Sequence, residues 1–190
     1  SYPELGSRLL ELHNEMAPQT RMQLAYALGQ WHADESGILL AKMLIDSWED
    51  PYLRASILSS ANFHVDSISK RVLKSPRLTQ DRKLQLIEPL LRMAVSTGNR
   101  GVELRILKSV ALRLVSGYSV QQIQMMGQFL SLRRQQGRVL MELNGSPVSM
   151  HPVWKQVRDM LETGREALKD NMAKETIKIA SLGLLGYQRE

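Results

Sequence analysis

Two stretches of the chain repeat each other at a fixed offset, and that restricts the possible folds more than any other feature. Arg21-Met-Gln-Leu24-Ala25-Tyr-Ala-Leu28 aligns with Arg54-Ala-Ser-Ile57-Leu58-Ser-Ser-Ala61, 33 residues further on, with Leu24, Ala25 and Leu28 falling on the apolar Ile57, Leu58 and Ala61. A third copy, Lys178-Ile-Ala-Ser-Leu182-Gly-Leu-Leu185-Gly186, keeps the spacing of Arg21, Ala25, Leu28 and Gly29. A repeat of this period marks supersecondary units that bury an apolar face only by stacking on their neighbours. Each copy reads as the inner helix of a two-helix unit.

Helical spacing runs through the remainder. The 190 residues hold 30 Leu against 20 Val plus Ile, and aromatics make up 5%. Unbranched Leu keeps its rotamer freedom in a helix, whereas strands favour β-branched and aromatic residues. Ser1-Tyr2-Pro3 opens a helix to about Met16, and Ala17-Pro18-Gln19 breaks it. Helices follow over residues 20–31, with Gly29 as its C-terminal stop, and over 34–46. Asp50-Pro51 is an N-cap followed by proline at the first helical position, opening a helix through Ala61. A short helix spans 66–74, and the helix at 80–97 should be kinked or divided by Pro89. Residues 100–116 carry Val102, Ile106 and Val110 on one stripe and Leu104, Leu107, Ala111 and Leu114 on another, as a helix packed between neighbours does. Ser119 caps a helix to about Gln136, an irregular connection covers 137–151, and helices follow at 151–170 and 174–185. No sustained alternation flanks a hairpin turn, and Asn144-Gly145 sits between irregular neighbours. The expected fold is all-α: an α-solenoid of about five HEAT-like helix pairs, a single domain over 1–190. The chain begins at Ser1 without Met, so the expectation is a segment of a longer protein.

Several chemistries are excluded by what is missing. Zero Cys leaves no disulfide framework, zinc ribbon, cysteine nucleophile or Cys-x-x-Cys-His haem attachment in this segment. No run reaches the roughly 18 apolar residues of a membrane helix, and no signal-peptide pattern opens the chain. There is no Gly-rich phosphate loop and no G-x-S-x-G elbow. Paired carboxylates occur only as Asp34-Glu35 and Glu49-Asp50, adjacent residues at helix starts, where they act on the helix dipole rather than as an acid/base pair. His13, His32, His64 and His151 lack the i, i+4 spacing of a helical metal pair and read as surface or capping histidines. The ten Met read as core filler rather than haem ligands.

The pattern of a basic residue, then Ala or Leu, then Leu-Gly, on a helix opened by Asp-Pro resembles HEAT repeats. The stretch 20–30, followed by Leu39-Leu-Ala-Lys-Met-Leu44 and 50–60, is similar to the HEAT region of large planctomycete-type predicted membrane-bound dehydrogenases and haem-binding proteins. The likeness is greatest over residues 1–61 and returns at 174–187. In that family a β-propeller precedes the helical repeats and a c-type cytochrome domain follows them. The resemblance therefore implies a non-catalytic scaffold that holds a dehydrogenase module and an electron-accepting module in register, outside the cytoplasm. It implies no cofactor in this segment, because no catalytic or haem-ligating residue of the family has a counterpart here.

Charge is unevenly spread. Residues 1–66 hold 4 Lys/Arg and 9 Asp/Glu, residues 67–140 hold 14 and 3, and residues 141–190 hold 7 of each. The basic block comprises Lys70, Arg71, Lys74, Arg77, Arg82, Lys83, Arg92, Arg100, Arg105, Lys108, Arg113, Arg133, Arg134 and Arg138. It reads first as a solvated face and next as a surface docking an acidic protein or a neighbouring domain. Nucleic-acid binding, in the manner of HEAT-like DNA glycosylases, ranks last. Only Tyr118 and Phe129 lie within the block for base stacking, and Trp31, Trp48 and Trp154 fall outside it, where they read as packing at helix ends.

Overall fold

The computed structural model describes residues 17–136 and 152–186. Among them every regular element is helical, apart from one isolated bridge between Leu114 and Gly117. The chain is all-α, as its leucine-rich stripes require. The expected helix before Met16 and the connection at 137–151, with Asn144-Gly145, lie outside the described residues. The chain divides into two compact units, Ser1–Ala94 and Val95–Glu190.

In the first unit the helices are α1 (Pro18–Gln30), α2 (Asp34–Asp46), α3 (Pro51–Ser59) and α4 (Val65–Lys74). A 3-10 turn, Asn62–His64, leads into α4, and α5 (Gln80–Thr97) contains the division between the units. The main packing joins α1 to α3 and α2 to α4, with smaller contacts of α2 with α1 and α3. The two helices that carry the 33-residue repeat are thus neighbours in space. Leu39, Leu40, Met43, Leu44, Ile57 and Ile68 are fully buried between these helices.

Local chemistry explains where the helices start and stop. Asp50 Oδ1 accepts from the amides of Tyr52 (3.0 Å) and Leu53 (3.1 Å), the cap expected for α3. The break expected at 17–19 falls at Ala17, which is non-helical (φ −57°, ψ 151°), and Pro18 begins α1, whose first turn asks for no N–H there. Gly29 does not stop α1, which runs on to Gln30. It is buried, and a Cβ at this position would lie 2.6 Å from Ser60 Cβ and 2.9 Å from the Ser60 carbonyl oxygen. Its role is close approach of α1 to α3. Gly37 does the same for α2 and α4, where a Cβ would meet Ser67 Cβ at 2.9 Å.

Pro89 does not divide α5, which is one helix. Leu86, Ile87, Leu90 and Leu91 are buried on either side of it. Their burial is worth about 1.5–3 kcal/mol each, which outweighs a proline penalty of about 3 kcal/mol.

The second unit contains α6 (Arg100–Val110), α7 (Val120–Gln135), α8 (Pro152–Lys169) and α9 (Glu175–Leu185). Here α7 packs on α9 and α8 on α9, and α6 makes smaller contacts with α7 and α8. The helix expected to reach Ser116 ends at Val110. The reason is Gln122, fully buried, whose Nε2 donates to the carbonyls of Val110 (2.7 Å) and Leu112 (2.8 Å). Gly117, at φ +94°, then turns the chain, and Leu114 and Gly117 exchange backbone hydrogen bonds of 3.2 and 3.0 Å. The sequence predicts Ser119 as the cap of α7, and the same Gln122 completes a capping box with it.

Candidate docking groove

The stripe Asp34, Ile38, Lys42 and Ile45 recurs at helical spacing along α2, and Asp66, Ser67, Lys70, Arg71 and Lys74 do so along α4. Because α2 and α4 pack together, the two stripes face one open groove of about 820 Å³, which Ser75 and Arg77 also line. Ile38 and Ile45 are half-buried, so apolar surface is left along the groove within the α2 row, beside Asp34 and Lys42. Five cations and three carboxylates line it. Lys70 pairs with Asp66 at 2.6 Å and Arg77 pairs with Asp46. Among the described residues, no carboxylate pairs with Lys42, Arg71 or Lys74.

Of the basic block, the structure brings Lys70, Arg71, Lys74 and Arg77 together on this groove and adds Lys42, which by composition belongs to the acidic third. Reading α2 as one stripe with Ile38 and Ile45 finds that lysine. The other block residues of the first unit do other work. The Arg82 guanidinium lies 3.9 Å from the Trp48 ring centroid, and Arg92 pairs with Glu88 at 2.9 Å. Lys83 is half-buried on α5.

In the second unit Arg100, Lys108 and Arg134 are exposed and Arg105 is half-buried. Arg113 faces Asp159 at 3.6 Å. Arg133 has no place on a docking surface: it is 5% exposed and paired with the buried Glu103. Arg138 lies outside the described residues.

Two other polar clusters fall short of catalytic geometry. His64 is buried, not a surface or capping histidine, and its Nε2 lies 3.3 Å from Ser36 Oγ. Burial pushes its pKa down, while the Leu28 carbonyl and the nearby Asp34 oppose that and His32 reinforces it. The pair is not a nucleophile and base. Ser36 is fully buried, and its hydroxyl is aimed at the carbonyl oxygens of Trp31 and Ala33 (2.6 Å to Ala33). His32 instead lies against Phe63, ring centroids 3.9 Å apart and the planes tilted by 44°, and His13 and His151 lie outside the described residues.

In the second unit an open cleft of about 600 Å³ runs between the turn after α6 and α8. There the Tyr118 hydroxyl donates to Asp159 Oδ2 at 2.9 Å. Burial and that carboxylate push its pKa up to about 12, so it stays a hydrogen-bond donor. Asp159 also takes the Arg113 contact, and Lys155, Arg158 and Glu162 line the same cleft.

Among the described residues no group of three His, Asp or Glu could hold a metal, and no helix is long and apolar enough to cross a membrane. Met43, Met125, Met126 and Met160 are buried in the two cores, whereas Met172 is exposed. Trp154 is buried beside Phe129, ring centroids 6.5 Å apart. No family model matches the chain, and neither a curated protein nor a solved structure matches it.

Proposed function

We propose that the chain is a HEAT-like helical-repeat module that docks acidic partners and carries out no chemistry of its own. The observation that carries this reading is the packing order: α1 sits on α3 and α2 on α4 in the first unit, and α7 on α9 in the second, where α8 also packs on α9 and α6 makes smaller contacts with α7 and α8. Contact with the next helix but one is how stacked helix pairs extend an α-solenoid. The 33-residue repeat across α1 and α3 supports the same reading from sequence. In the larger setting that the family resemblance implies, the module is an extracytoplasmic scaffold joining a dehydrogenase domain to an electron acceptor. Its partner is then a neighbouring domain or an acidic protein.

The packing order is tested by expressing residues 1–94 alone and following helix content by circular dichroism on heating. A repeat array, whose units depend on near neighbours, predicts a folded fragment with a cooperative melt. An unfolded fragment overturns the repeat reading. The absence of chemistry is tested by adding haemin, and separately a quinone cofactor with sugar, to the whole chain. A bound-haem Soret band or sugar oxidation overturns it.

A further inference from the structure

We infer that the α2–α4 groove binds an acidic amphipathic helix of a partner protein. The inference rests on the docking reading and names its site and its occupant. Three observations on the groove carry it.

First, Lys42, Arg71 and Lys74 bring positive charge to the groove with no carboxylate among the described residues to neutralise it, one from α2 and two from α4. An occupant with carboxylates along both flanks meets both rows. Second, apolar surface remains within the α2 row, at Ile38 and Ile45. These lie seven residues apart on one helix, about 10.5 Å along its axis at 1.5 Å per residue. A docked helix matches that spacing with apolar side chains at i, i+3 or i+4, and i+7, the usual anchors of a helix in a groove. Third, Asp34, Asp46 and Asp66 also line the groove. Asp46 and Asp66 are paired with Arg77 and Lys70, so Asp34 is the carboxylate set against a continuous phosphodiester chain, and no aromatic side chain lining the groove offers a base a stacking platform. An acidic protein helix, whose charges can be placed to avoid Asp34, fits better than nucleic acid.

The test uses the whole chain and a fluorescein-labelled synthetic helix of about five turns, with Leu at the anchor positions and Glu on both flanks, titrated by fluorescence anisotropy. Polyglutamate serves as a second acidic probe. The amphipathic peptide is expected to bind, more weakly as salt rises. The Arg71→Glu/Lys74→Glu double variant is expected to weaken it about tenfold or more, as is Leu→Ser replacement at the peptide's anchors. Lys108→Glu/Arg134→Glu, which changes exposed charges of the second unit, is expected to leave affinity within about twofold. Lys42→Glu, on the opposite row, gives an independent check should the double variant lose helix content.

Binding indifferent to Arg71, Lys74 and Lys42 but lost in the Lys108/Arg134 variant overturns the groove and leaves the docking module standing. Failure of both the peptide and polyglutamate to bind overturns both readings. Displacement of the peptide by duplex DNA at equal concentration overturns the proposal in favour of nucleic acid.

Discussion

The two units are both built of helices but treat their cations in opposite ways. The first leaves Lys42, Arg71 and Lys74 at the surface and reserves its buried polar contacts for neutral groups, Ser36 and His64. The second takes a cation inside: Arg133 meets Glu103 between apolar neighbours, 6% and 2% exposed by side chain, with the Phe129 ring 5.7 Å from the guanidinium. Glu103 Oε2 and Arg133 Nη2 find no partner there, so the pair is closed to solvent without being fully satisfied. A charge serves recognition only where water or a partner can reach it, and a buried one serves the local packing. Sequence composition, which counts both as positive, does not separate them.

The comparison breaks most sharply at Glu103. Replacing it with Leu strands the Arg133 charge and is expected to destabilise the protein by about 3–5 kcal/mol. Adding Arg133→Met should restore most of the loss, since an apolar pair of similar volume needs no counter-charge. Urea denaturation of the two variants is the measurement. The exposed cations of the first unit should behave differently: Lys74→Glu is expected to move stability by no more than about 0.5 kcal/mol. A Glu103→Leu variant as stable as the parent would remove the distinction between the units.

A smaller effect is expected at Gly29. Gly29→Ala forces a methyl against Ser60 and should cost about 1–3 kcal/mol, read in the same denaturation experiment. Ser60→Gly should recover only part of it, because the Ser60 carbonyl oxygen and Cα would still lie 2.9 and 3.0 Å from the added carbon. Full recovery would mean that side chain alone, rather than backbone, sets the approach of α1 to α3.

The smallest effect sharpens the contrast through pH. Burial holds the His64 pKa below its ordinary value of 6.5, so the unfolded chain takes up the proton first. The stability contributed by neutral His64 is therefore complete above pH 6.5 and lost as pH falls below it toward the folded value. Denaturation midpoints taken down through that window should fall, and His64→Gln should flatten the fall. An unchanged slope in the variant would mean that another group carries the pH dependence.

What could be read from the sequence was what a residue does to its immediate neighbours. Asp50 and Ser119 announce helix starts because a short oxygen-bearing side chain reaches amides two or three residues on, whatever the remaining fold. Gly29 misleads because close approach and chain termination ask for the same residue, and only the position of Ser60 separates them. The end of α6 depends on Gln122, 12 residues beyond Val110, and the burial of Arg133 on Glu103, 30 residues away. Neither distance leaves a local trace. Of the candidate site, the α4 cations stand in the basic block, but Lys42, Ile38 and Ile45 become part of it only once α2 is known to lie beside α4.

The glycine–serine contact between α2 and α4 has a consequence for that groove. Gly37 and Ser67 bring the two backbones together, so the gauge between Lys42 on one side and Arg71 and Lys74 on the other is set by a contact that carries no charge. Changing the lysines alters how strongly the track is charged, whereas a methyl at position 37 would alter its width.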